Sequence, residues 1–217
     1  MTKKEFLDAI HGQMIISCQA VEGEPLYVEE KSIMYLMARA AKQAGTPAIR
    51  TSSIRDVVAI KEETELPVIG LVKIQYPGYE EYITPTMKEV DDLTAAGADV
   101  VALDCTLRKR GDGTTVNEFI AQIKEKYPDI ILMADISNYE EGINAWKCGV
   151  DIVGTTMSGY TAYTVSGTDE PDYELMERLA RDTDIPVIGE GRIHYPEQAV
   201  RALQTGVWAI VVGGAIT

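Results

Sequence analysis

PVIGLVKIQY (67–76) reads as a strand bound for a hydrophobic core, yet it delivers a lysine, Lys73, where the apolar run ends. Val68, Ile69, Leu71 and Val72 are apolar without the alternation of a half-solvated strand. Such a run suits a parallel strand covered on both faces. An ammonium group at its last position is costly unless it is paired or used.

The same pattern recurs from end to end. Strand runs fall at MIISCQA (14–20), PAIRT (47–51), PVIGLVK (67–73), DVVALDC (99–105), IILMADI (130–136), DIVGTTM (151–157), IPVIGEG (185–191) and WAIVVGG (208–214). Amphipathic helix patterns such as SIRDVVAIKEET and VNEFIAQIKEKY separate them, and several close on glycines suited to a left-handed cap, among them Gly45, Gly97, Gly149 and Gly206. Eight strands alternating with helices in 217 residues predict an α/β fold, a (β/α)8 TIM barrel formed as one domain over 1–217. An open doubly wound sheet would carry GxGxxG after its first strand, where this chain has SCQAVEGEP. Seven helix patterns follow the first seven strands, and Thr217 comes directly after the eighth strand, so the eighth helix is expected to be absent from this chain. A partner is then expected to cover the bare wall, most simply in a homodimer.

Composition narrows the partners. The formal net charge is −14 and the pI about 4.6, which disfavours nucleic acid and anionic membrane. Three cysteines outside any CxxC pattern read as free thiols of a reducing, cytoplasmic setting. Two histidines without HxH or HExxH spacing predict no metal site. The start, MTKKEFLDAIHGQ, lacks the apolar segment of a signal peptide, and no apolar run reaches the length of a membrane span.

In such barrels chemistry gathers at the carboxyl ends of the strands. Those ends hold Cys18-Gln19, Arg50, Lys73, Asp104, Asp135, Thr155-Thr156, Glu190-Gly191-Arg192 and Gly213-Gly214. Each has a plain alternative: a solvated rim charge, a tight turn at Gly213-Gly214, or an Asp135 that only caps the helix opening at Asn138. Their recurrence at one end of successive strands argues for use. The EGRI and GGAIT loops, after the last two strands, could cradle a phosphate with backbone N–H groups.

The strings ISCQA (16–20), GLVK (70–73), YITPTMKEVD (82–91), VALD (101–104), LMADIS (132–137), GTTMSGYT (154–161), IPVIGEGRI (185–193) and VVGGAIT (211–217) resemble the N-acetylmannosamine-6-phosphate 2-epimerases, also called N-acylglucosamine-6-phosphate 2-epimerases. The resemblance runs from about Gly12 to Thr217. It implies a phosphate-binding barrel that interconverts N-acetylmannosamine 6-phosphate and N-acetylglucosamine 6-phosphate in sialic acid and amino-sugar catabolism. It implies Lys73 and Glu190 as the catalytic pair. It places Gln19, Arg50 and Asp135 on the sugar or its N-acetyl group, and Gly191, Arg192, Gly213 and Gly214 around the phosphate. Two departures stand out: Ile74 follows Lys73 where the family carries Arg, and the Arg-Pro pair and final helix that follow GGAIT in the family are absent.

Epimerisation at C2 needs a proton taken from carbon and returned to the other face. Apolar surroundings lower a lysine pKa and make a neutral amine available as base. Glu190 then supplies acid on the second face or shuttles a proton during ring opening, and no cofactor is required. Two rivals remain at this point: a lyase using Lys73 as a Schiff base, and a truncated phosphosugar-binding protein.

Overall fold

The strands alternate with helices along the whole chain, and the computed structural model describes residues 1–165 and 167–216. Thr217, the last residue of the GGAIT loop, lies outside the described residues. The strands are β1 (Met14–Ser17), β2 (Ile49–Ser52), β3 (Val68–Leu71), β4 (Val100–Asp104), β5 (Ile131–Asp135), β6 (Ile152–Gly154), β7 (Val187–Glu190) and β8 (Ala209–Val212). Each pairs in parallel with the next, and β8 closes on β1 with Ile15 opposite Val211. The result is the closed eight-stranded barrel that the strand count predicts.

Burial on two sides explains the apolar runs. Side chains alternate between faces along a strand. Ile15, Ile69, Leu71, Val100, Ala102, Met133, Ile188 and Val211 pack in one cluster inside the barrel. Ile16, Val68, Val101, Leu103, Leu132, Val153 and Ile210 pack in a second cluster against the helices. Gly70 lies on that outer face; a Cβ there would sit 2.9 Å from Ala98 Cβ and 3.0 Å from Leu93 Cδ2.

Seven helices follow strands as expected: α2 (Met34–Gln43), α3 (Ile54–Thr64), α4 (Met87–Ala95), α5 (Val116–Lys126), α6 (Tyr139–Lys147), α7 (Tyr173–Asp182) and α8 (Pro196–Gln204). One more, α1 (Lys3–Ile10), precedes β1. Thr2 and Glu5 form a capping box at its start. Its Phe6 and Ile10 are fully buried in the inner cluster. The Trp208 indole N–H donates to Leu7 O at 2.9 Å, so α1 closes the amino-terminal mouth and leaves the carboxyl mouth open.

No helix follows β8 among the described residues. The wall there is nevertheless better covered than expected: outward-facing Ile16, Ile210 and Val212 are all buried. Exposed apolar residues there are Met14 at the start of β1, Leu36 on α2 and Val200 on α8. No helix among the described residues is long and apolar enough to cross a membrane.

β1, β3, β6 and β8 stop two or three residues short of the predicted runs. At β3 the reason is visible. Beyond Leu71 the chain pairs with its own following loop: Lys73 bridges Ile83, Ile74 N donates to Tyr82 O at 2.9 Å, and Thr84 N donates to Val72 O at 2.7 Å. Thr84 holds the fold-back from the left-handed region (φ +48), which a β-branched residue rarely occupies. Its hydroxyl accepts from Val72 N at 3.2 Å and donates to Ala102 O at 2.7 Å, which offsets the strain.

Candidate active site

Counting by twos from the inward core residues leads to the site. Ile69 and Leu71 point inward, and the next position of that parity is Lys73. Ile131 and Met133 lead to Asp135, Ile188 to Glu190, Ala48 to Arg50, and Ile152 through Gly154 to Thr156. The strand period therefore puts a base, carboxyl groups, a guanidinium and a hydroxyl at the open mouth.

They surround one cavity of about 360 Å³, lined among others by Gln19, Arg50, Lys73, Thr156, Glu190, Gly191, Arg192, Gly213 and Gly214. Eight of the nine residues expected from the sequence line it. Asp135 does not. It is fully buried beneath the cavity floor, where Arg50 Nη2 donates to its Oδ2 at 2.6 Å and the Thr156 hydroxyl lies 2.7 Å from its Oδ1. Nor does Asp135 cap α6, because Asn138 does so by accepting from Glu141 N at 3.0 Å. Asp104 stands off the cavity as well, paired to Arg108 at 2.5 Å.

Arg50 is the electrostatic centre. It is 1% exposed, holds Asp135, and its Nε lies 3.3 Å from Glu190 Oε1. Glu190 is 13% exposed at its side chain. Burial pushes the Glu190 carboxyl up; the Arg50 charge pulls the other way and the Asp135 charge adds to the rise.

Lys73 answers the question posed by PVIGLVKIQY. It is not buried at the end of a strand but emerges from the core into the cavity, reachable by solvent and crowded by protein around the rest of the side chain. No ion-pair partner lies within 4.0 Å of its ammonium group among the described residues. Crowding pushes its pKa below the ordinary lysine value and the nearby Arg50 charge pushes it further; Glu190, Glu24 and Asp135 oppose them. Lys73 and Glu190 therefore open into one cavity with their pKa values shifted toward each other, the amine down and the carboxyl up.

The other end of the cavity suits an anion. Gly191 (φ +109) and Arg192 (φ +57) turn the chain left-handed after β7. The Arg192 guanidinium lies against Gly159, where a Cβ would be 1.9 Å from Nη1. Arg192 Nε is buried without a hydrogen-bond partner among the described residues. At the near side, the Gln19 amide donates to Ser17 Oγ at 2.8 Å while its carbonyl oxygen is buried and unpartnered among the described residues. That carbonyl is an acceptor waiting for a donor.

The sequence reading missed Ser17, Glu24, Tyr82, Tyr160 and His194 as lining residues and treated Thr156 only as a strand end. Tyr82 and Tyr160 fall inside the strings that carry the resemblance, and His194 directly follows GEGRI. Glu24 sits in the irregular β1–α2 connection, where no periodicity marks it. Among the described residues no group of three or more His, Cys, Asp or Glu is arranged to hold a metal ion.

Residues 34–217 match the family described as "Putative N-acetylmannosamine-6-phosphate epimerase". The chain belongs to this epimerase family. It is 54% identical over 213 residues to a member from Caldanaerobacter subterraneus subsp. tengcongensis, covering 98% of this chain and 89% of the relative. It is 49% identical over 211 residues to one from Clostridium perfringens, covering 97% and 93%. The solved structure of the Clostridium perfringens N-acetylmannosamine-6-phosphate 2-epimerase superposes with a TM-score of 0.91 at 48% identity, covering 97% of this chain and 90% of that one. A thiamine phosphate pyrophosphorylase from Pyrococcus furiosus shares the fold alone, with a TM-score of 0.63 at 20% identity. The family read from the eight sequence strings is the family found.

Proposed function

We propose that this protein interconverts N-acetylmannosamine 6-phosphate and N-acetylglucosamine 6-phosphate by removing and returning the proton at C2. Membership in the epimerase family supports the substrate class. The observation that carries the chemistry is Lys73, an amine with a depressed pKa and no ion-pair partner among the described residues, opening into the same cavity as Glu190.

In this reading the ring-opened sugar lies across the cavity with C2 between the two groups. Lys73 takes the C2 proton and becomes an ammonium. Glu190 gives a proton to the opposite face and becomes a carboxylate. Exchange with solvent then restores both, and the reverse reaction exchanges the roles. Arg50 stabilises the negative charge that develops on the enediolate between C1 and C2, as a preorganised cation in a confined site does. The Gln19 carbonyl accepts from the N-acetyl N–H, which fixes the face presented to Lys73. Gly191, Arg192, Gly213 and Gly214 hold the 6-phosphate and supply orientation rather than chemistry. Asp135 acts from beneath by holding Arg50.

The same reading makes the protein a cytoplasmic isomerase of sialic acid and amino-sugar catabolism. Exposed Leu36 and Val200, on the helices flanking β8 and β1, support a homodimer that covers them. The test is proton NMR of N-acetylmannosamine 6-phosphate mixed with the protein in deuterated water. The proposal expects N-acetylglucosamine 6-phosphate to appear with deuterium at C2. Conversion with the C2 proton retained, or a sugar adduct trapped by borohydride, would replace it with a different chemistry.

A further inference from the structure

The Thr156 hydroxyl stands between two carboxyl groups and can donate only one proton. Its Oγ1 is 2.7 Å from Asp135 Oδ1 and 3.0 Å from Glu190 Oε2. Both are hydrogen-bond distances, so the two contacts together need two protons. One is the hydroxyl's own. The other must come from a carboxyl group.

The surroundings decide which one. Asp135 Oδ2 already accepts from Arg50 at 2.6 Å in a pair hidden from solvent, a short charge-assisted contact that makes Asp135 the acceptor side. Glu190 meets Arg50 less well: its Oε1 lies 3.3 Å from Arg50 Nε, and that N–H makes no hydrogen bond of good geometry. We propose that Thr156 is a positioning residue that keeps Glu190 protonated, its hydroxyl donating to Asp135 Oδ1 and accepting from the Glu190 Oε2–H. The uncharged carbonyl oxygen of Glu190 then faces Arg50, and its proton is held on the Thr156 hydroxyl until the carboxyl group turns toward substrate.

The packing is built for this contact. Gly154, two residues before Thr156, has no room for a side chain: a Cβ there would lie 2.4 Å from Met133 Cε, 3.1 Å from Thr156 Oγ1 and 3.3 Å from Asp135 Oδ1. The charged groups facing Glu190 are Arg50 from β2, Lys73 beyond β3 and Asp135 from β5; Glu24, Arg192 and His194 line the rest of the cavity. Backbone contacts lock the pair as well, because the neighbouring Thr155 hydroxyl donates to Glu190 O at 2.8 Å and accepts from Glu190 N at 3.0 Å.

The hydrogen-bond count sets the sign. With Glu190 neutral, the hydroxyl makes two hydrogen bonds. With Glu190 ionised, it makes one and turns a lone pair toward the other carboxylate. Removing the hydroxyl therefore weakens the neutral state more, and the Glu190 pKa should fall. Were the hydroxyl instead a donor to Glu190, it would pull the carboxyl down, and its removal would raise the pKa.

The experiment is a 13C NMR titration of the free protein labelled at glutamate Cδ, with the Glu190 signal assigned by its loss in Glu190→Gln. Thr156→Val and the smaller Thr156→Ala should each lower the Glu190 midpoint by about one pH unit, the equivalent of one net hydrogen bond. Thr156→Ser should keep the parent midpoint. A midpoint unchanged or raised in Val and Ala overturns the proposal, as does a Ser variant that behaves like them. A kinetic readout rests on the epimerase reading: the alkaline limb of kcat/KM should move to lower pH in Val and Ala by the same amount and be restored in Ser. The titration needs no substrate, so a protein that titrates as stated yet fails to epimerise would overturn the functional reading and leave this one standing.

Discussion

Arg50 Nη2 lies 2.6 Å from Asp135 Oδ2, and the two side chains are 1% and 0% exposed. A buried pair of this kind contributes little over an apolar replacement, but removing one partner strands the other charge. Asp135→Ala should therefore lose about 3–5 kcal/mol of stability. The double variant Arg50→Met with Asp135→Leu should recover much of that loss while remaining inactive. Urea denaturation of the three proteins checks both statements.

The helix α1 closes the amino-terminal mouth with Phe6, which is fully buried. Phe6→Ala should destabilise the fold by about 3–5 kcal/mol through the cavity it leaves. The carboxyl mouth is at the other end of the barrel, so the kcat of the folded fraction should stay near that of the parent. Calorimetry and steady-state kinetics at low temperature separate the two effects.

These two predictions mark what was legible in the sequence and what was not. The barrel was legible because each strand is covered on both faces and reads as an apolar run with a polar end. The line-up of Gln19, Arg50, Lys73, Glu190 and Arg192 was legible because strand ends share one rim. The role of Asp135 was not: a strand-end position does not reveal that Arg50 and Thr156 lie above the carboxylate and enclose it. Nor was the exposure of Lys73, which depends on Thr84 folding the following loop back at Val72. The helix α1 was not read either: its capping box at Thr2 and Glu5 and its buried Phe6 and Ile10 lie in the short stretch before the first strand, outside the strand–helix alternation that was followed.

Gly159 has φ +86, and an added Cβ would lie 1.9 Å from Arg192 Nη1. Gly159→Ala must move the guanidinium out of its place. If Arg192 binds the phosphate, KM should rise about tenfold with a smaller change in kcat, the pattern of lost uniform binding. Initial rates over a wide range of substrate concentration test this. Inorganic phosphate as a competitive inhibitor should weaken in parallel.

Glu190 has its pKa raised in the folded protein by burial, so the folded state binds more protons than the unfolded one above about pH 4.5. The penalty for ionising it is absent below that pH and complete once the pH exceeds the folded pKa. Glu190→Gln removes the penalty. Its melting temperature should exceed the parent's at alkaline pH, and the gain should vanish toward pH 4.5. Thermal melts across pH, read by circular dichroism, decide the sign.

The account turns on Lys73 as the group that takes the C2 proton. Its most direct test is deuterium incorporation at C2 of N-acetylglucosamine 6-phosphate in deuterated water, catalysed by the Lys73→Ala variant after folding has been verified by circular dichroism. The account predicts that exchange falls to the rate of the sugar alone. Exchange at the parent rate in that variant would contradict it, whatever else the cavity binds.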